Sequence, residues 1–510
     1  MTCSEQLARS VISACWRRGV REFVVCPGSR DSPLILEILR SGLKAHPFVD
    51  ERAAAFFALG RTMDARCPVA VVTTSGTAVA ELLPAVVEAL YQRLPLLCLT
   101  ADRPASFRGS GAPQTIEQRG IFCLYAVESW DVSAGAVDLS RWEGNGPAHL
   151  NVCLSDPLLS DPPPEPAPMP EGESVPARGR KRKHFPVQMP HPDLVILGGL
   201  PREDRERVLA RLTEVRCPIL ADAMSGLREA PELQGWMIRG GERSLRGHPL
   251  RTVLRIGAVP TFRFWRDLED RPEVSIWSVE CHGFRGLGRD AFCVEQLDSI
   301  HFQPAAVPPV MPPNESAVRA RLEEALLRYP HSEPALMGGL ASLIPSGARV
   351  FLGNSLPVRE WNLAAPYADR GHLTGANRGA NGIDGNLSTF FGWSAEAGES
   401  WGIFGDLTTI YDLNAPWIVP HLPAAKRRIV VFNNGGGKIF ARLPSLHRVP
   451  EDYKTFTESR HTLRFQRWAG FWGLAHVEWR GGALPDLPDP VVLEVIPDDA
   501  QTEGFWEAMG

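Results

Sequence analysis

The 510-residue chain contains no apolar run approaching the ~18 residues that a membrane span requires. Arg9, Arg17 and Arg18 interrupt every candidate core of an N-terminal signal peptide. Its ten cysteines are scattered singly, with no C-x-x-C pair, which leaves neither a zinc ribbon nor a dithiol motif. Cys26, Cys98, Cys153 and Cys293 lie in apolar runs and are expected as buried, reduced thiols, for which a cytoplasmic location is the simplest expectation. A formal net charge of −5 gives no footprint for nucleic acid or an anionic membrane, so basic groups that matter must act locally. The dense basic run at 178–183 ends a proline-rich stretch and reads as part of a solvated linker. Leu197-Gly198-Gly199-Leu200 is too short for a dinucleotide fingerprint.

What is present is an ordinary globular composition, 44% hydrophobic and 22% charged, at a length sufficient for about three domains. Residues 22–26, 69–74 and 96–100 read as strands, and 33–40 and 77–91 as helices, the rhythm of βαβ units on a parallel sheet. The alternation returns with strands at 194–197, 219–221 and 253–256 and a charged helix at 202–214, and again with strands at 350–352, 402–404 and 428–432. Two proline-rich stretches divide these regions. The expected class is α/β, with three doubly wound parallel-sheet domains. They fall at 1–157, 191–303 and 331–510, joined by a linker at 158–190 and a connector at 304–330.

The most informative segment is Gly405-Asp406-Leu407, followed after residues 407–432 by Asn433-Asn434 and the turn Gly435-Gly436-Gly437. Asp406 closes a strand, a helix crosses over, and Asn434 closes the next strand. Both are therefore expected at one carboxyl edge of a parallel sheet, where such folds bind ligands. A carboxylate, an amide oxygen and a backbone carbonyl from the glycine turn suit Mg²⁺, which takes few protein ligands and completes its octahedron with phosphate oxygens. The plainer alternative is a strand end beside an Asx-rich turn.

The Gly-Asp…Asn-Asn pattern resembles the diphosphate and metal motif of thiamine diphosphate enzymes, with Leu407 where that motif has a third glycine. The resemblance implies Asp406, Asn434 and the Gly436 carbonyl as metal ligands. Such an enzyme also needs a carboxylic acid against the aminopyrimidine ring, in an apolar setting that lets it hold a proton. Glu51, in HPFVDERAAAFFALG, has that setting; its alternative is a helix N-terminal acid stabilised by the dipole. Arg30, Arg103, Arg359 and Arg378 stand in loops at or near strand ends. Singly each reads as a surface or capping residue; together they suit recognition of several carboxylates by guanidinium forks.

Eight segments in order, CPGSRDSPL, FVDERAAAFFALG, TTSGTAVAELLPAVVEA, LTADRP, GNSLPVRE, NRGANGIDGNLST, GDLTTIYDLNA and NNGGGKIFARLP, resemble the menaquinone-pathway 2-succinyl-5-enolpyruvyl-6-hydroxy-3-cyclohexene-1-carboxylate synthases. The resemblance implies a thiamine diphosphate-enzyme fold, with Mg²⁺ (or Mn²⁺) and thiamine diphosphate as cofactors. It implies 2-oxoglutarate and isochorismate as substrates, and a homodimer or dimer of dimers with active sites at the subunit interface. Glu51, Arg30, Gln114, Ser355 and Arg359 take catalytic positions. Ser75, Gly76, Ile383, Gly405, Leu407, Ile439 and Phe440 join Glu51 and the metal ligands around the cofactor. Ser29, Arg30, Arg103, Gln114, Arg263, Ser355, Arg359, Arg378, Ile439, Phe440 and Leu443 contact substrate. For Ile383, Ile439, Phe440 and Leu443 core packing is the reading without the family. Departures are Arg263 where the family commonly has lysine, Phe264 where some members have a second basic residue, Pro113 for asparagine and Asn381 for serine. Another thiamine enzyme would need fewer carboxylate contacts, and a non-catalytic relative would be expected to have lost Glu51, Asp406 or Asn434.

Overall fold

The computed structural model describes residues 1–162, 164–169, 186–279, 283–305, 307–443, 445–446 and 448–510. The basic run at 178–183 lies outside the described residues. The chain divides into two compact units, each discontinuous in sequence. One comprises residues 1–181, 377–397 and 410–424; the other comprises 182–376, 398–409 and 425–510.

The first unit is built on a six-stranded, all-parallel sheet. Its strands are β1 (Glu22–Cys26), β2 (Lys44–Pro47), β3 (Val69–Thr73), β4 (Leu96–Asp102), β5 (Glu128–Val132) and β6 (Ala148–Cys153), in the order β2-β1-β3-β4-β6-β5. Every residue of β3, β4 and β6 is buried, as expected of strands covered on both faces. The second unit holds a two-stranded ribbon and two larger parallel sheets. β7 (Val187–Met189) pairs with β13 (Ile300–Phe302). A five-stranded sheet contains β8 (Leu194–Leu197), β9 (Ile219–Ala221), β10 (Thr252–Ile256), β11 (Ser275–Val279) and β12 (Phe292–Val294), ordered β12-β11-β10-β8-β9. A six-stranded sheet contains β14 (Arg349–Leu352), β15 (Leu373–Gly375), β16 (Glu399–Gly405), β17 (Lys426–Phe432), β18 (Ala475–Trp479) and β19 (Val491–Val495), ordered β15-β14-β16-β17-β19-β18. Counted within each sheet, both six-stranded sheets run 2-1-3-4-6-5, and the five-stranded sheet runs 2-1-3-4-5. All three reverse direction between their first and third strands, which is where open α/β sheets accept ligands.

The Glu51–Ala65 helix begins at Asp50, whose carboxylate accepts from the Ala53 amide at 3.0 Å. It is buried from Ala53 through Thr62, on all sides rather than along one stripe, with Arg61 paired to Glu22 and Asp64. The Asn386–Trp393 helix, from a segment more than 300 residues later, packs across it and is buried throughout. The crossing is glycine-tight. A Cβ on Gly60 would stand 2.1 Å from the Thr389 carbonyl oxygen, and one on Gly392 2.1 Å from the Phe57 carbonyl oxygen.

Four local expectations change. Residues 77–91 form two helices, Thr77–Ala80 and Leu83–Gln92, the second starting at Pro84, which lacks the amide a continuous helix would need. The crossover between β16 and β17 is a short helix, Asp406–Tyr411, followed by a 3₁₀ segment at Ala415–His421, rather than one continuous helix. Arg359 lies on the Leu356–Ala364 helix, not in a loop. Cys293 is exposed, because β12 is an edge strand paired only to β11.

Candidate active site

In the first unit the reversal lies between β1 and β3. Chain leaving β1 carries Ser29 and Arg30, and chain leaving β3 carries Ser75 and Gly76. A cavity of about 420 Å³ opens beside it, lined by Glu51, Ser75 and Gln114 together with Asp50, Arg52, Thr74, Thr77, Ala78 and Glu81. Burial first, then the neighbouring carboxylates of Asp50 and Glu81, raise the Glu51 carboxyl above the usual glutamate range. The surroundings of this cavity thus disfavour the charged form of Glu51.

Arg30 and Arg103 stand on chain leaving the carboxyl ends of β1 and β4, whereas Arg378 lies beside the Leu83–Gln92 helix. Arg30 donates from Nη1 to the Leu154 carbonyl at 3.1 Å and lies 3.5 Å from Asp156. Arg103 donates from Nε to the Pro113 carbonyl at 3.2 Å, one residue before Gln114, which takes a left-handed backbone at φ 54°. Arg378 precedes Gly379 and Ala380, whose amides donate to the buried Glu88 carboxylate at 2.6 and 2.7 Å. Ile383 is half-buried, two residues beyond Asn381 at φ 63°. Ser29 is exposed, its carbonyl accepting from the Ser32 hydroxyl.

In the second unit the corresponding reversal lies between β14 and β16. β14 leads through Asn354 and Ser355 into the Leu356–Ala364 helix, with Ser355 at φ 73°. Arg359 donates to the Ser355 carbonyl at 2.5 Å, tying that turn. β16 ends at Gly405, and Asp406 opens the next helix with its side chain almost fully buried. Asp406 Oδ1 accepts from the Leu407 amide at 2.6 Å, and Oδ2 from the amides of Gly435 and Gly436 at 2.8 and 2.9 Å. His461 Nε2 is 3.3 Å from the same oxygen.

Asn434 Nδ2 donates to both oxygens of the buried Glu333 carboxylate at 3.0 Å. Its Oδ1 is buried and has no hydrogen-bond partner among the described residues. An orphaned buried carbonyl oxygen beside a carboxylate is what a hard cation would satisfy. Gly436 stands at φ 142°, and a Cβ there would meet the Glu458 carbonyl oxygen at 2.7 Å, so only glycine fits. Among the described residues no three His, Cys, Asp or Glu side chains gather as a metal cluster. That suits an ion held by one carboxylate, one amide oxygen and one backbone carbonyl, with diphosphate oxygens completing its shell. The residues fit the group.

Ile439 and Leu443 are half-buried and Phe440 is exposed, on the turn that follows. A second cavity, of about 910 Å³, brings Asn434 together with Arg263, Phe264, Glu333, Lys438 and Arg442. Arg263 is exposed there and pairs with Asp267 at 3.4 Å.

Some groups beside the expected residues were not singled out by sequence. Burial pushes the Asp31 carboxyl up to about 7 and the Glu333 carboxyl up to about 7. Glu88 and Gln118 are buried polar side chains bonded to backbone of the expected loops. For Asp31 a signal existed, a charged residue directly after Arg30 in the PGSRD turn. The other three have partners far along the chain and leave no local mark.

Residues 5–121 match the family described as thiamine pyrophosphate enzyme, N-terminal TPP binding domain. With parallel α/β sheets, an acid raised above its usual range beside a cavity and an Asp–Asn–Gly turn at another sheet edge, this match marks a thiamine diphosphate-dependent enzyme of transferase type. The chain is 39% identical to the 2-succinyl-5-enolpyruvyl-6-hydroxy-3-cyclohexene-1-carboxylate synthase of Bdellovibrio bacteriovorus, over 98% of each protein. It is 40% identical to that of Akkermansia muciniphila, over 99% of this chain and 98% of the relative, and 35% identical to that of Chloroflexus aurantiacus, over 84% and 81%. The chain belongs to this synthase family.

Proposed function

We propose that the chain decarboxylates 2-oxoglutarate and transfers the succinyl group to isochorismate, giving 2-succinyl-5-enolpyruvyl-6-hydroxy-3-cyclohexene-1-carboxylate and CO₂ for menaquinone biosynthesis. The observation that carries this reading is the near full-length likeness to synthases named for that product. Thiamine diphosphate, when bound, supplies the electron sink for loss of CO₂ from a 2-oxo acid. Asp406, Asn434 and the Gly436 carbonyl hold Mg²⁺, or Mn²⁺ in its place, against the diphosphate, with Gly405 and Leu407 shaping that turn. Glu51 holds a proton towards the aminopyrimidine in the cavity it shares with Ser75; Gly76 lets the backbone approach.

Ile439, Phe440 and Leu443 give an apolar wall that excludes water from the reacting carbon, and Ile383 props the cofactor into its bent shape. Arg30, Arg103, Arg359 and Arg378, with Arg263 from the β10–β11 crossover, bind the substrates' carboxylates. Ser29, Gln114 and Ser355 orient them by hydrogen bonds. The working form is a cytoplasmic homodimer or dimer of dimers with its active sites at the subunit interface. Domain limits lie near 157, 191, 303 and 331, and no helix among the described residues is long and apolar enough to cross a membrane.

The test is a reaction with thiamine diphosphate, Mg²⁺, 2-oxoglutarate and isochorismate, omitting each component in turn. Isochorismate loss is followed by absorbance and the product by mass. Cofactor-dependent appearance of the succinyl adduct supports the assignment. Consumption of 2-oxoglutarate with isochorismate untouched would refute the acceptor, and absence of thiamine diphosphate binding would refute the whole reading.

A further inference from the structure

Behind the cavity that holds Glu51 lies a chain of buried side-chain hydrogen bonds that runs inward from Gly76. The Gln118 side chain is fully buried. Its Oε1 accepts from the Gly76 amide at 3.0 Å, and its Nε2 donates to the Ala101 carbonyl at 3.1 Å and to Asn151 Oδ1 at 2.9 Å. Asn151, also fully buried, accepts a second bond from the Thr100 hydroxyl. Its Nδ2 donates to Asp102 at 3.0 Å and to Asp131 at 2.9 Å. Asp131 is in turn gripped by both Nη atoms of Arg108, at 2.9 and 2.7 Å.

Each amide in this chain has one permitted orientation. Turning Gln118 over would set its NH₂ against the Gly76 N–H and its oxygen against two acceptors, each an unsatisfied buried group costing about 1–3 kcal/mol. The chain therefore fixes two surface loops in one frame. The first is the Ser75–Gly76 turn. The second, residues 112–118, carries Gln114, whose Cα would stand 3.3 Å from a Cβ on Gly76. Arg103, immediately after Asp102, holds the same loop from its outer side through the Pro113 carbonyl. Gln114 itself is exposed and in a left-handed backbone, so its own contacts leave its place undetermined.

We infer that Gln118, backed by Asn151, is a positioning residue that sets where Gln114 stands over the Glu51 cavity, and through it how tightly the substrate that Gln114 touches is held. The inference rests on the proposed reading of Gln114 as a substrate contact. A misplacement near 1 Å at such a contact costs on the order of 10²-fold.

The test is a double-mutant cycle in the full-length enzyme, using Gln118→Leu, Gln114→Ala and the pair, with steady-state KM measured separately for isochorismate and 2-oxoglutarate. Gln118→Leu should raise at least about tenfold the KM of whichever substrate responds to Gln114→Ala, with a smaller change for the other, and should add little once Gln114 is alanine. Gln118→Met keeps the side-chain length and buries no charge against the Ala101 and Asn151 oxygens. It stands in should the leucine variant fail to fold, and the same non-additivity is expected of it. A folded Gln118 variant that leaves both KM values at the parental level, or one whose effect multiplies independently of Gln114→Ala, overturns the inference. A parent enzyme that makes no succinyl adduct overturns the underlying function instead, so the two failures are distinguishable.

Discussion

Gly60→Ala is the sharpest perturbation of the helix pair that carries Glu51. The added methyl would begin 2.1 Å from the Thr389 carbonyl oxygen and 2.7 Å from the Trp393 amide nitrogen. Both are backbone atoms of a buried helix, so no side chain can swing away. Relief requires the Glu51–Ala65 and Asn386–Trp393 helices to separate until the oxygen is about 3.4 Å away. Overpacking of this kind costs about 1–3 kcal/mol, occasionally more. Alanine regains up to about 1 kcal/mol of helix propensity, so a net loss of roughly 1–2 kcal/mol is expected. In a unit of this size that lowers Tm by about 2–8 °C.

Gly470→Ala is the control. Gly470 lies in the Gln466–Phe471 helix with nothing within 4 Å of the new methyl, so the same substitution should raise Tm slightly. Differential scanning fluorimetry of both variants, with thiamine diphosphate affinity from tryptophan quenching, gives the reading. If Gly60→Ala is as stable as Gly470→Ala, the close helix crossing is wrong, and with it the account of how Glu51 is placed.

Glu51→Gln should lower turnover by about 10²–10⁴-fold and slow deuterium exchange at C2 of bound thiamine diphosphate, measured by NMR after acid quench; parental exchange would remove Glu51 from the chemistry. Burial raises the Asp31 carboxyl to about 7, so the fold favours its protonated form. Its contribution is intact below the ordinary aspartate range and is lost as pH rises towards 7, by at most about 4 kcal/mol. Asp31→Asn should flatten that part of the stability–pH curve in denaturant titrations, and a slope equal to the parent's would refute the assignment. Arg263→Ala should raise the isochorismate KM about tenfold or more while leaving 2-oxoglutarate KM nearly unchanged; equal effects on both would place Arg263 outside acceptor binding.

Much of the frame was legible because buried parallel strands announce themselves as β-branched runs. The 69–74 run forms β3 almost to the residue, and the strand ends at Gly405 and Phe432 put Asp406 and Asn434 at one sheet edge. Cys293 misled because an apolar run looks the same whether its strand is central or at an edge. Arg359 misled because Pro357 reads as loop, whereas proline at the start of a helix costs nothing. Glu333, Glu88 and Gln118 were invisible for a deeper reason. Their partners lie 101, 291 and 42 residues away, and such pairings exist only once the chain has folded.

The return of residues 377–397 and 410–424 to the first unit also sets a timetable for synthesis. At ribosomal rates of roughly 5–20 residues per second, the helix that covers Gly60 emerges about 10–40 s after residue 181 has been made. Through that interval the Glu51–Ala65 helix has all six strands of its sheet but lacks the partner that packs against Gly60. The N-terminal unit is therefore completed only when that later segment has been made. Ribosome-bound chains arrested at residue 376 should remain protease-sensitive at the Glu51–Ala65 helix, and chains arrested some 40 residues beyond 424, clear of the exit tunnel, should not.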